Sequence, residues 1–280
     1  MTSMIRCIAP FAFAALLLGL WACEADDKRL DSDDDDDGTT DGDADGDSDT
    51  DSDADGDSDG DSDTDTDTEC YEQLDIVFVL DVSTSMSGYL STLENEIGLV
   101  WNAALELDDE PHFGLVVFVD DVLTANSGQT YASTSAIQAD FHDWYIHTSS
   151  NQQTQSMASN SDWPENTLDA LHAAATDYDW RPKDITLRVV IHATDDTFRE
   201  YPASFTSGIQ AQTTYPEVVQ ALQEQEIRVA SFAAHLGGPL GNADVEPGFF
   251  TDYGGQGAIP PSTSGQVFDI HEVGSTISLA

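Results

Sequence analysis

Apolar residues recur along this chain in two alternating rhythms. Leu74-Asp75-Ile76-Val77-Phe78-Val79-Leu80 is a nearly continuous apolar run, the pattern of a strand buried on both faces. Leu90, Leu93, Ile97, Val100, Trp101, Ala104 and Leu107 follow at a spacing that predicts a helix over residues 90–107. Residues 113–119 predict a second strand, 122–131 a third at an edge, and 137–146 a short helix rich in aromatics. Residues 168–175 predict a helix. Residues 185–193 and 227–236 predict buried strands, with a helix around 216–225 between them. Pro216 suits a first helical turn. The Gly/Pro-rich stretch 237–264 reads as a long loop, 266–270 as a last short strand, and the remainder to Ala280 as a short helix. This alternation predicts an α/β fold, Rossmann-like and doubly wound, with a mostly parallel sheet and helices on both faces. The ligand site of such a sheet lies beyond the carboxyl ends of its strands.

The first 70 residues follow neither rhythm. Arg6 and the apolar stretch from Ile8 to Ala22 predict a secretory signal peptide over residues 1–22, too short for a typical spanning helix. Leu20-Trp21-Ala22-Cys23 resembles the lipobox of bacterial lipoproteins, which implies cleavage before Cys23 and lipidation of its thiol. The alternative is an ordinary signal peptide with an incidental cysteine. No later segment approaches 18 apolar residues, so none is read as membrane-spanning. Cys7 leaves with the signal and Cys23 carries the lipid, so Cys70 is left alone, a free thiol or half of an intermolecular bridge.

Charge sharpens this division. The chain of 280 residues holds 54 acidic and 8 basic residues, a net −46. Residues 24–70 carry 24 of the acids against Lys28 and Arg29, which leaves 30 acids and five bases, a net −25, for residues 71–280. Phosphate neutralisation needs clustered Lys and Arg, so nucleic acid is excluded as a partner and cations or basic surfaces are favoured. Residues 31–68 are almost wholly Asp, Ser, Thr, Gly and Ala, a composition that repels itself and predicts disorder. The segment 24–69 could span ~150 Å at full stretch. Asp41-Gly42-Asp43-Ala44-Asp45-Gly46 and Asp55-Gly56-Asp57-Ser58-Asp59-Gly60 match half of a calcium loop, but neither reaches a Glu at the twelfth position. They predict diffuse cation condensation rather than a defined site. The expected organisation is therefore a signal peptide at 1–22, a lipidated Cys with an acidic linker at 23–69, and one folded domain at 70–280.

The chemistry lies at the strand ends. Asp81-Val82-Ser83-Thr84-Ser85 follows the first buried strand, and period-two spacing puts Asp81, Ser83 and Ser85 on one side. Carboxylate and hydroxyls make an all-oxygen set suited to Mg²⁺, Mn²⁺ or Ca²⁺. The phrase from Asp75 to Met86 resembles the opening strand and metal-ion-dependent adhesion site of the von Willebrand factor type A family. Asp162-Trp163-Pro164-Glu165-Asn166-Thr167 is similar to the second metal loop of its integrin beta-type members, Ala193-Thr194-Asp195-Asp196 to the third loop, and Gly265 to Ile270 to the last strand. The resemblance implies that Ser83 and Ser85 ligate the ion directly and that Asp81 and Asp195 hold it through water. The second-loop ligand is Glu165 or Thr167. One flanking ion site of the integrin beta-type domains is read as absent, because Gly88 and Tyr89 stand where it needs acids. The resemblance places another second ion at Asp120, Asn160, Asp162, Glu165 and the Pro164 carbonyl. A turn before a Pro-capped helix is the plainer account of Asn160 and Asp162.

No hydrolase or nucleotide-binding pattern occurs, and the seven histidines show no ligand spacing. His112 and His192 read as packing residues and His172 as a surface residue; Trp163, Phe198, Tyr201 and Phe205 are candidates for the rim of the metal face. The reading is a non-enzymatic adhesion module in a bacterial cell envelope, periplasmic or surface-exposed. It is held to the membrane by its lipid and binds a protein that presents an acidic residue to the ion. The alternatives are a structural component whose ion only stabilises the loops, and, least favoured, a metal-dependent hydrolase.

Overall fold

The structure, a computed structural model, describes residues 71–235 and 245–272. The signal, Cys23, the acidic tract, Cys70, residues 236–244 and residues 273–280 lie outside the described residues. The leading strand β1, Gln73–Asp81, is buried at eight of its nine positions, as its apolar run requires. Helix α1, Ser87–Leu107, buries Leu90, Leu93, Ile97, Val100 and Ala104 along one stripe. β2, His112–Phe118, and β3, Val122–Thr124, come next, then α2, Thr134–His147, and α3, Thr167–Asp177. β4, Thr186–Thr194, leads to α4, Tyr215–Glu224, and β5, Ile227–Ala233. A four-residue helix α5, Ile259–Ser262, and β6, Gln266–Asp269, complete the order. The start of α4 is fixed by Pro216 in its first turn and by Glu217, whose carboxylate accepts the Thr214 N–H at 2.8 Å.

The sheet order is β3-β2-β1-β4-β5-β6; β3 runs antiparallel to β2 and every other pair is parallel. Both faces are covered. Phe78 meets Phe141 of α2 edge to face at 5.2 Å, and Trp101 of α1 stacks on Phe113 at 4.2 Å. On the opposite face Tyr178 lies against Gly114, where a Cβ would fall 2.4 Å from its ring, and Phe249 stacks on His192. The chain moves outward from β1 to β2 and later returns to β4 on the other side of β1. The crevice at this reversal opens between the carboxyl ends of β1 and β4.

Three expectations need correction. The edge strand over 122–131 stops at Thr124, because Asn126, Ser127 and Gly128 take left-handed backbone conformations that turn the chain out of the sheet. The helix expected at 137–146 is longer, since Ser133 caps it by accepting the Ala136 N–H. The described part of the 237–264 loop is packed rather than open. Phe249 and Ile259 are fully buried, and the Tyr215 hydroxyl donates to the Gly248 and Gly257 carbonyls at 3.0 and 2.9 Å.

Candidate metal centre

Three loops converge on that crevice. Asp81 ends β1 and is wholly buried. Its Oδ1 accepts the Ser83 N–H at 2.8 Å and its Oδ2 the Thr194 hydroxyl at 2.7 Å. The chain then tightens into a short turn, Thr84–Met86, pinned inward by buried Met86. That turn leaves the Ser83 and Ser85 hydroxyls 3.1 Å apart, and Ser85 donates to Asp195 Oδ1 at 2.8 Å. Asp81, Ser83, Ser85 and Asp195, more than a hundred residues apart at the extremes, thus form one connected group. Carboxylate oxygens of Asp81, Asp195 and Asp196 all lie within 4.8 Å of one another.

The second loop enters from the side of β2. Asn166 N–H donates to the Val119 carbonyl at 2.7 Å and Glu165 N–H to the Thr197 carbonyl at 2.8 Å, which ties the loop to its neighbours on both sides. Glu165 is wholly buried; its Oε1 accepts the Asn160 amide at 2.6 Å, and its Oε2 has no partner among the described residues. The hydroxyl of Thr167, wholly buried at the start of α3, is equally unpartnered. So are Asn160 Oδ1 and Asn166 Oδ1. Buried polar atoms are almost always paired, so this cluster of oxygens calls for water or a cation to complete it.

Protonation equilibria carry the same signature. Burial, then the charge of Asp195, pushes the Asp81 carboxyl up to about 7. Burial with Asp81 and Asp195 pushes Asp196 to about 8, and burial raises Asp195 despite the Ser85 hydrogen bond. Glu165 is driven well above the ordinary carboxylate range by burial, then by Asp81 and Asp120. Acids this crowded favour either protons or a cation. Every donor is oxygen, which fits a hard divalent ion and not zinc.

The residues expected for a second ion divide. Glu165 and Asn160 are bonded to each other, and burial raises Asp120, whose Oδ2 is held by Gln153 at 3.0 Å. Asp162 is engaged elsewhere, in an ion pair with Arg199 at 2.9 Å and with the Thr206 N–H at 3.2 Å. Pro164 is half-buried. At the flank lacking acids, Gly88 is exposed and the Tyr89 hydroxyl meets His271 Nδ1 at 2.8 Å. Trp163 and Tyr201 are half exposed, whereas Phe205 is buried and Phe198 packs on Tyr215 and Tyr253. His192 is buried between Phe118 and Phe249, its Nδ1 bonded to the Ser231 hydroxyl at 2.8 Å, and burial lowers it to about 3. His112 and His172 are half-buried. Sequence reasoning overlooked Asp196 and Thr194 as members of the site. The doubled acid at the end of an apolar strand was the available signal for Asp196.

The family described as integrin beta-like protein A–E, vWA-like, matches residues 68–239. No curated protein matches the chain. Among solved structures, proximal thread matrix protein 1 from the mussel byssus is similar at 15% identity, over 58% of this chain and 36% of that one, with a TM-score of 0.38. The chain thus spans little more than a third of that protein's length.

Proposed function

We propose, from the premise that the chain belongs to the vWA-like family of the integrin beta-like proteins A–E, that it is a cation-dependent protein-binding module rather than an enzyme. The observation that carries this reading is the connected group Asp81–Ser83–Ser85–Asp195 with the unpartnered, fully buried Glu165 Oε2 behind it. A divalent ion bound there supplies an open coordination position for a carboxylate. Ser83 and Ser85 would hold the ion through their hydroxyls, Asp81 and Asp195 would set the charge, and Glu165 or Thr167 would close the second-loop side. Half-exposed Trp163 and Tyr201 are candidates for apolar contact with the partner. A net −25 domain repels acidic proteins at a distance, so a mainly basic partner presenting one Asp or Glu suits it best. Capture of a partner from envelope extracts is expected in millimolar Mg²⁺ or Ca²⁺ and not in EDTA, with Ser85→Ala reducing it. Capture that survives both chelation and Ser85→Ala would sink the reading. It would favour the structural alternative, which one feature supports: Asp81, Asp195, Asp196 and Glu165 outnumber the charge of a single divalent ion.

The domain's placement belongs to the same proposal. Lipidation at Cys23 holds it to a bacterial envelope membrane, and the acidic segment to residue 69 keeps it at a distance from the bilayer. The full chain is expected to partition into detergent phase and the Cys23→Ser chain into the aqueous phase. Unchanged partitioning of Cys23→Ser removes the lipid anchor from the proposal.

A further inference from the structure

The crevice holds one carboxylate that its own hydrogen bonds do not explain. Asp81 has both oxygens engaged and Asp195 accepts the Ser85 hydroxyl. No described group donates a hydrogen bond to the Asp196 side chain; burial and the charges of Asp81 and Asp195 act on it unrelieved. The backbone nevertheless holds it in place. Asp196 N–H donates to the Thr194 hydroxyl oxygen at 3.2 Å, and that hydroxyl also donates to Asp81 Oδ2. One threonine therefore fixes both the first carboxylate and the turn that carries the third. Glu165 adds an independent sign of a missing cation, since its buried Oε2 has no partner among the described residues and its carboxyl feels the charges of Asp81, Asp120 and Asp196.

We propose that Asp196 is itself a ligand of the bound ion and makes the centre select Ca²⁺ over Mg²⁺. This rests on the reading of the crevice as a cation centre. With Asp196 added as a direct ligand beside the Ser83 and Ser85 hydroxyls, and Asp81 and Asp195 holding the ion through water, three carboxylates within 4.8 Å of one another crowd the ion with oxygen and negative charge. Ca²⁺ accepts six to eight oxygens in flexible geometry, whereas Mg²⁺ demands a small octahedron, sheds water reluctantly and is held by one or two carboxylates. A crowd of donors therefore suits the larger ion. Asp196 acting only as a nearby charge would attract both ions alike, so the ratio of the two affinities separates coordination from a general field.

The test follows the melting temperature of the full chain through separate Ca²⁺ and Mg²⁺ titrations, for wild type, Asp196→Ala and Asp196→Asn. The acidic tract is common to all three and drops out of the comparison. Either substitution removes a like charge from a crowded trio, so both variants are expected to fold with metal-free melting temperatures at or above wild type. Wild type is expected to respond to Ca²⁺ at lower concentration than to Mg²⁺. Asp196→Ala is expected to raise the Ca²⁺ midpoint about tenfold and the Mg²⁺ midpoint less than about threefold, because Ca²⁺ affinity follows ligand charge count. Asp196→Asn, which keeps an oxygen, is expected to lie between. Equal shifts for both ions, or a wild type that prefers Mg²⁺, overturns the assignment while leaving the cation centre intact. No response to either ion overturns both.

Discussion

At pH 8, a hundredfold excess of divalent ion over its dissociation constant is expected to raise the melting temperature of the full chain by about 5–10 °C. Mass action gives about 2.7 kcal/mol at that excess, and a domain of this size moves about 2–4 °C per kcal/mol. Acidification in EDTA should act in the same direction. Asp81 and Asp196, raised to about 7 and about 8, hold protons in the native state at pH values where the unfolded chain has lost them. Their contribution is fully present below the unfolded carboxylate range and is lost as pH rises through 7 and 8. Each excess native proton is worth about 1.4 kcal/mol per pH unit, so the EDTA-treated protein should stabilise from pH 8 down to about 6.5. Below 6.5 His192 opposes the trend, because its buried neutral ring must stay unprotonated while the unfolded ring charges. The decisive variant is Asp195→Ala. It relieves repulsion, so it should raise the melting temperature in EDTA at pH 8, and it removes a metal-holding acid, so it should shrink the gain from ion. A loss of stability that is equal with ion and with EDTA would show Asp195 to be an ordinary loop residue.

Arg181→Ala is expected to destabilise the domain by about 3–5 kcal/mol, the usual result of stranding a buried carboxylate. Asp75 is fully buried inside β1, and Arg181 meets it twice, Nε to Oδ1 at 2.6 Å and backbone N–H to Oδ2 at 2.9 Å. The same guanidinium donates to Asp108 Oδ2 at 3.0 Å and to the Leu74 carbonyl at 2.7 Å. Asp108 in turn accepts the Leu74 N–H at 2.8 Å. Arg181→Lys should recover little, since an ammonium cannot reproduce this fork. Asp75→Asn combined with Arg181→Ala should recover part of the loss by removing the unpaired charge. Chemical denaturation at pH 7 measures all three. A cost below about 1 kcal/mol for Arg181→Ala would mean that water reaches Asp75 and that the pair is superficial.

The central strands were legible because a strand covered on both faces admits almost no polar residue, as in Ile76–Leu80. The helix of Leu90 to Ala104 was legible for the complementary reason, its three-and-four spacing. Asp81, Ser83 and Ser85 form a local pattern, and their placement follows from the strand they terminate. What stayed hidden depends on partners remote in sequence. Asp75 looks like a flaw in an apolar run until Arg181 is brought to it from 106 positions away. Tyr131 looks like the end of a strand, but its N–H donates to the Phe113 carbonyl and its hydroxyl to Asp140, so it is an anchor for a turn. Phe249 and Ile259 sit among Gly and Pro, a composition that advertises a loop and conceals core residues. Glu165 was legible as a candidate, but the unpartnered state of its Oε2 among the described residues is a property of the assembled crevice alone.

Strand β1 carries a buried acid near each end, and the two are answered differently. Asp75 has its counter-charge built into the chain, whereas Asp81 has a hydroxyl, an amide and further acids. The base of the sheet therefore draws its neutralising charge from the chain, whereas the tip must draw it from solution. On the proposed reading, loss of the ion is expected to be felt first by the crown of loops and last by the foundation. The same strand then has permanent footing at one end and, as proposed, a gauge of water hardness at the other.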